Sequence, residues 1–563
     1  MAQLKRRWWK EGVVYQIYPR SFQDTSGNGI GDLKGITKRL DYIKSLGVNI
    51  IWLCPVYESP NDDNGYDIAD YRKIMAEFGT MQDFDDLLAE MKLRGLKLVM
   101  DLVANHTSDE HFWFQESRKS RDNEYRDYYH WWPAEKGTPP KRWSYFDIDA
   151  NAWKYDEKTD SHYLHYFSVK QPDLKWENPA VRKEVYDMLR FWFDKGVDGF
   201  RMDVIPFISK DTTYPELPKE FGGDFIPFYS NGPRLHEFLN EMNNEVLSKY
   251  DIMTVGEALG VTIDQALNFV DEDRKELNMF FHFDLMSLDR DGNEAFWMQS
   301  DQWKLTEFKE IHSKWDAVFS EKGWGTMYLN NHDFPRAVSR WGNDSKEHWR
   351  NSATMLQTFL LTMRGTPFFY FGEEIGMTNA NFERLDDYKD INTLNRYKLL
   401  QQQNIDLEDF IENEKKASRD NARTPMQWSL DTHAGFTNNT PWIKVNPNYK
   451  TGINVEEQEK QSDSVLNYFR KMVKIRKSHL GLIYGGYQLV LPENEQVYAY
   501  TRSLDTERYL ILLSFSEEST QVAIDDIEFS KADLLISNDE CQTEKTNHQF
   551  TLKPYQAVVY QLH

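Results

Sequence analysis

Short runs of consecutive apolar positions recur along the chain, separated by stretches in which apolar residues return every three or four positions. VVYQIY (Val13 to Tyr18) precedes a helical spacing over 35–45, VNIIWLC (Val48 to Cys54) precedes one over 81–94, and LKLVMDLVANH (Leu96 to His106) follows. After a helical stretch through Val181 to Asp194 come GVDGFRMDV, IMTVGEA, MFFHFDL, GTMYLNNHD and GTPFFYFGEE, which brings the candidate strands to eight. Strands that are apolar throughout, alternating with helices, predict a parallel sheet covered on both faces. Eight such units predict a (β/α)8 barrel of the TIM type, in the α/β class.

Three segments depart from that rhythm. Residues 106–176 carry aromatics, Pro, Gly and many Asp with no clean period, and are assigned to a subdomain inserted after the third strand. Residues 377–430 are charged and helical, a second excursion after strand eight. From 481 to 563 the pattern turns to short alternating runs such as VYAYTRS and RYLILLSF, which predict a C-terminal antiparallel β-sandwich. The barrel is thus assigned to 1–105 and 177–480.

In such a barrel, chemistry sits where the strands end. The third run ends at Asp101, Asn105 and His106, the fourth at Arg201 and Asp203, the fifth at Glu257, and the seventh at Asn331, His332 and Asp333. One Asp at a strand end reads as a turn residue. Four carboxylates on one rim repel each other, and such clusters mark functional sites. No HExxH or Cys/His spacing points to a catalytic metal.

Charge and composition narrow the ligand. A formal charge of −23 argues against nucleic acid and anionic membranes, both of which need clustered Lys and Arg. Aromatics reach 15% of residues, which suits stacking on sugar faces as well as a large core. Two cysteines, Cys54 and Cys541, cannot make a disulfide framework, and the N-terminus lacks the apolar core of a secretory signal. The expectation is a cytoplasmic protein, a monomer or weak homo-oligomer, and composition alone leaves a sugar binder and a large aromatic core about even. No run reaches the ~20 apolar residues of a membrane span.

DLVANH (Asp101 to His106), GFRMDV (Gly199 to Val204), GEA (Gly256 to Ala258) and NNHD (Asn330 to Asp333) resemble, in order, the four motifs of the α-amylase superfamily of glycoside hydrolases, family 13. QPDLKWEN (Gln171 to Asn178) and RDNARTPMQW (Arg419 to Trp428) are similar to motifs of its oligo-1,6-glucosidase subfamily. The resemblance implies a retaining, exo-acting α-glucosidase whose partner is a small-molecule oligosaccharide and which needs no cofactor for catalysis. Asp203 would attack and form a glycosyl ester, Glu257 would act as general acid and base, and Asp333 would bind sugar hydroxyls. Retention requires two carboxyls about 5–5.5 Å apart. Arg201 shares a strand face with Asp203 and would keep it ionised.

The same resemblance implies that Tyr66 stacks under the glucose and that Asp67 pairs with Arg419 to close the pocket behind the non-reducing end. His106, Phe167, Gln171, Val204 and His332 complete the implied substrate contacts. For the two histidines, packing or a backbone hydrogen bond is the alternative. In DTSGNGIGD, the residues Asp24, Ser26, Asn28, Ile30 (through its carbonyl) and Asp32 alternate as in a structural calcium loop. A Gly-rich turn held by hydrogen bonds is the other reading.

Val204 after the nucleophile goes with α-1,6 preference in the resembled subfamily, where Thr goes with α-1,4. Three departures complicate this. SLDRD (Ser287 to Asp291) resembles a sucrose-isomerase loop with Ser287 in place of its first Arg. Asn392 stands where relatives often carry Glu, and Phe371 where Gln is common. A sucrose isomerase or transglucosylating enzyme is therefore the alternative to an isomaltose-type hydrolase. A non-catalytic member of the fold is disfavoured by the complete set of carboxylates.

Overall fold

Eight parallel strands form one sheet in the computed structural model, which describes residues 4–146, 151–218, 225–293, 296–300, 302–402 and 407–563. They are β1 (Val14–Ile17), β2 (Ile50–Leu53), β3 (Lys97–Val103), β4 (Gly199–Asp203), β5 (Met253–Glu257), β6 (Met279–Phe281), β7 (Thr326–Met327) and β8 (Thr366–Tyr370). Each of the eight predicted runs contributes one strand. β1 pairs with both β2 and β8, so the sheet curls round to leave β6 and β7 as its edges. Side chains join those edges: the Thr326 hydroxyl donates to the Phe280 carbonyl at 3.0 Å and the Tyr328 hydroxyl to the His282 carbonyl at 2.6 Å.

The helices start and stop where local chemistry dictates. Thr80 and Asp83 form a reciprocal capping box at the head of Met81–Leu93. Pro179–Lys195 opens with Asn178 as cap and Pro179 in the first turn, and ends at Gly196, whose φ of 111° only glycine adopts freely. The stretch predicted over 35–45 is two helices, Leu33–Lys38 and Leu40–Ser45, broken at Arg39.

The predicted insert builds its own small antiparallel sheet, with Ser161–Leu164 between Trp131–Pro133 and Trp153–Asp156. Its return is pinned to the barrel rim. The Leu174 amide donates to the Asn105 carbonyl, and the buried Lys210 ammonium reaches the side chain of Asn105 at 2.7 Å and that of Asp173 at 3.2 Å. Helices Ile391–Gln402 and Glu408–Ala417 make up much of the excursion after β8. Parts of both predicted segments, at 147–150 and 403–406, lie outside the described residues.

The C-terminal region holds a six-stranded antiparallel sheet and a two-stranded one, Thr520–Ala523 with Gln549–Leu552, packed over a shared apolar cluster. Two buried arginines tie this region to the barrel. Arg476 donates to the carbonyls of Leu361 and Met363 in the barrel and of Leu482 beyond it, and Arg502 donates back to the Thr362 carbonyl as well as to Gly485, so carbonyls at the end of helix Trp349–Thr362 are satisfied. Cys54 is buried and Cys541 half-buried, and both are free. Among the described residues no helix is long and apolar enough to cross a membrane.

Candidate active site

At the C-terminal ends of the strands, one guanidinium organises three carboxylates. The register of β3 against β4 sets Asp101 beside Arg201, and alternation along β4 puts Asp203 on the same face. Arg201 Nη1 donates to Asp101 at 2.7 Å and to Asp203 at 2.6 Å, while Nη2 donates to Glu257 at 2.6 Å. The Trp52 indole N–H holds the other oxygen of Asp101 at 2.7 Å. Arg201 is 1% exposed, so these pairs sit in low dielectric, where charge interactions are strong.

Val204 follows Asp203 with φ 34° and ψ 41°, a left-handed conformation rare for a β-branched residue and costing about 1–3 kcal/mol. Its backbone N–H thereby meets Glu257 Oε2 at 3.0 Å, so the turn after the nucleophile candidate holds the acid/base candidate.

Burial is the leading influence on both carboxyls. It raises Asp203 to about 6, against the Arg201 charge. It raises Glu257 to about 7, again against Arg201 and helped by the neighbouring Asp203 and Asp333 charges. Asp333 behaves differently. Burial pushes it upward, but the His332 ring at 3.1 Å and the guanidiniums of Arg419 (3.0 Å) and Arg423 (2.9 Å) hold it well below the usual range. Between the two upper values, Asp203 and Asp333 are charged while Glu257 keeps its proton.

These groups open on a cavity of about 680 Å³, within the range of small-molecule sites. Of the residues singled out in the sequence, Tyr66, His106, Phe167, Asp203, Val204, Glu257, Asp333 and Arg419 line it. Three support it from behind. Arg201 bridges the carboxylates, Gln171 reaches His106 and Asp63 at 3.2 Å each, and His332 Nδ1 accepts from the Gln16 side-chain amide at 2.9 Å while the ring stacks on Tyr66 with centres 5.2 Å apart. Burial lowers the His106 pKa to about 3, so the ring is neutral.

The expected Asp67–Arg419 pair does not form. Asp67 is fully buried and accepts from the Ser59 hydroxyl at 2.9 Å and the amides of Asp62 (2.9 Å) and Asp63 (3.1 Å). It closes the turn that aims Asp63 into the cavity. Arg419 instead grips Asp390 through Nε at 3.0 Å and lies 3.5 Å from Asp63. Burial raises Asp63 to about 7. Asp63, Asp390 and Arg423 are thus site residues that the sequence reading passed over. Arg423 carried a signal, lying four residues after Arg419 and so on the same face of a helical turn. NDDNGYD offered three acids and no means of choosing among them.

Phe371 also departs from expectation. It is fully buried, edge-on to Phe22 at 5.9 Å, and forms core beneath the rim rather than the leaving-group side. Ser287 and Asn392 do line the cavity.

The loop from Asp24 to Asp32 is closed by its own hydrogen bonds. Asp24 accepts from the Ser26 hydroxyl, the amides of Gly27 and Gly29, and the Thr437 hydroxyl at 2.6–3.1 Å. Asp32 accepts from the amides of Thr25, Ser26 and Gly35 at 2.7–3.1 Å, and the Asn28 side chain accepts the Ile30 amide at 2.8 Å. Among the described residues no group of three or more His, Cys, Asp or Glu could hold a metal ion. The donor set suits the hydrogen-bonded turn, and no step of the chemistry passes through it.

A barrel with this insert, this acidic cluster and this C-terminal sheet places the protein among the glycoside hydrolases. The chain belongs to the α-amylase family of glycoside hydrolases: residues 16–485 match the alpha amylase catalytic domain and residues 487–559 the maltogenic amylase C-terminal domain. It is 52% identical to an oligo-1,6-glucosidase of Parageobacillus thermoglucosidasius over 99% of this chain and 100% of that one. It is 51% identical to an oligo-1,6-glucosidase of Bacillus cereus over 99% and 100%. Its fold is similar to the crystal structure of an isomaltulose synthase from Erwinia rhapontici, with TM-score 0.96 and 46% identity over the whole of both chains.

Proposed function

We propose that this protein is a retaining, exo-acting α-glucosidase that removes terminal glucose from short oligosaccharides, with α-1,6 bonds of the isomaltose type preferred. One observation carries the reading: Asp203 and Glu257 share the two terminal nitrogens of Arg201 on the wall of a cavity that also holds Asp333. Two carboxyls so close together suit a double displacement. Asp203 attacks C1 and the glycosidic C1–O bond breaks while Glu257 gives its proton to the departing oxygen. Glu257, now ionised, takes a proton from water, the water oxygen bonds C1, and Asp203 leaves as carboxylate. Asp333 and the arginines behind it hold ring hydroxyls. The Asp63, Asp390 and Arg419 cluster closes the far side, which supports attack on chain ends. The oligo-1,6-glucosidase relatives support the linkage, and two free cysteines support a cytoplasmic setting. The test is incubation with isomaltose, maltose, sucrose and trehalose. Glucose is expected first from isomaltose, and release from none of the four overturns the reading.

A second reading, isomerisation of sucrose, is favoured by Arg290 on the cavity wall and by the isomaltulose synthase neighbours. Chromatography of the products from sucrose separates the two. Glucose with fructose supports hydrolysis, and isomaltulose or trehalulose supports isomerisation.

The order of titration predicts a narrow pH profile. The reactive form has Asp203 ionised and Glu257 protonated. kcat/KM is expected to rise as pH climbs through about 6 and to fall as it passes about 7, the two limbs belonging to the coupled pair. The Glu257→Gln variant is expected to lose the alkaline limb. A limb that persists assigns the titration to another group.

Val204→Thr keeps a β-branched residue at the strained position and adds a hydroxyl to the cavity wall. The ratio of α-1,4 to α-1,6 turnover is expected to rise about three- to tenfold, the scale of one hydrogen bond of about 1 kcal/mol. An unchanged ratio of kcat/KM for maltose and isomaltose shows that the position does not read the linkage.

A further inference from the structure

Of the two cavity carboxylates with no part in the chemistry above, Glu414 is buried against Arg396 and Asp284 is exposed. Asp284, just after β6, stands exposed on the wall beside Ser287 and Arg290. Its Oδ2 accepts the indole N–H of Trp315 at 2.8 Å. Trp315 comes from helix Leu305–Lys322, is 2% exposed and cannot swing. Its ring lies parallel to His282 with centres 4.4 Å apart, stacks on Phe319 at 5.4 Å and meets the edge of Phe280 at 5.8 Å. The helix thus anchors one oxygen of Asp284, while among the described residues Oδ1 takes no hydrogen bond from the protein.

The other carboxylates of the cavity are engaged. Asp203 and Glu257 are on Arg201, Asp333 and Asp390 are on the rear arginines, Asp63 accepts from Gln171 and faces Arg419, and Glu414 binds Arg396 at 3.1 Å and the Thr393 hydroxyl at 2.6 Å. Asn392, also on the wall, is a neutral amide. An exposed carboxylate oxygen held in one direction is a strong acceptor for sugar hydroxyls.

We propose that Asp284 is the specificity residue that grips hydroxyls of the leaving sugar, and that Trp315 is its positioning residue. The proposal rests on the reading that the cleaved glucose sits over Asp203. It makes the enzyme selective for leaving groups that are themselves sugars over leaving groups without hydroxyls.

The experiment compares kcat/KM for isomaltose and for p-nitrophenyl α-glucoside, whose leaving group offers Asp284 nothing to hold. Asp284→Asn is expected to lower the isomaltose value at least tenfold more than the nitrophenyl value, chiefly through KM. Trp315→Phe keeps an aromatic ring in the stack while removing the N–H donor, and is expected to shift the same ratio about threefold. A merely structural loss at Trp315 would lower both substrates alike. A ratio equal to that of the wild type in both variants overturns the proposal. A wild-type enzyme that cleaves neither substrate overturns the underlying glucosidase reading, and this inference with it. If Asp284→Asn does not fold, the ratio measured on Trp315→Phe decides.

Discussion

Replacing Asp203 with Asn is expected to cut kcat/KM by about 10⁴-fold or more, because the amide neither attacks C1 nor carries the charge that Arg201 is built to hold. The fold should survive. Asn is isosteric, and the Arg201 guanidinium keeps Asp101 and Glu257 as partners. A chemical rescue distinguishes loss of the nucleophile from general damage. In Asp203→Ala, which truncates the same side chain, azide with p-nitrophenyl α-glucoside is expected to enter the vacated space, bond C1 and expel nitrophenolate, giving the β-configured glucosyl azide. Wild-type turnover by the variant would remove Asp203 from the mechanism. Rescue that gives the α-azide would place the nucleophile elsewhere.

Arg201→Met is the second large effect, and it strikes stability and rate together. The substitution leaves Asp101, Asp203 and Glu257 buried without their shared cation. Breaking a buried pair costs about 3–5 kcal/mol, since an uncompensated charge remains. The three acids do not suffer equally. Asp101 keeps the Trp52 donor and Glu257 keeps the Val204 amide, but the hydrogen bond to Asp203 comes from Arg201. Asp203 should therefore take up a proton at a higher pH than in the wild type, and the rising limb of the activity profile should move upward. The sign for stability follows from the same shift. These acids carry raised pKa values in the fold, so the cost is largest at high pH, where all are ionised, and eases as pH falls and they protonate. Unfolding measured between pH 5 and 8 checks this, together with a loss of kcat/KM of about 100-fold or more. A variant equally stable at both ends of that range would show that the carboxylates do not depend on the guanidinium.

The core of the catalytic cluster was legible because it lies on regular structure. Arg201 and Asp203 are two residues apart on one strand, and that spacing alone puts them on one face. Glu257 ends an apolar run, and a strand that stops at a carboxylate leaves it at the barrel rim. Periodicity also located all eight barrel strands, since a strand covered on both faces is apolar at most of its positions.

Loop residues were different. Asp62, Asp63 and Asp67 lie within one turn, and which of them turns to the cavity is decided by which accepts the turn's own amides. Asp67 does so, and Asp63 is the one left to face Arg419. Asp390 joins the site because Asp420 accepts its amide and that of Lys389, fixing a bend that brings together residues far apart in the chain. Phe371 looked like a leaving-group residue by position, but the turn after β8 directs it into the core against Phe22. The amino-acid sequence by itself determined the barrel, its strand ends and the carboxylates that end them, because those follow from spacing and burial along one element. The tertiary structure alone decided which acids pair with Arg419 and Arg423, how Val204 is strained toward Glu257, and that Trp315 anchors Asp284. Each of those depends on where a different part of the chain comes to lie.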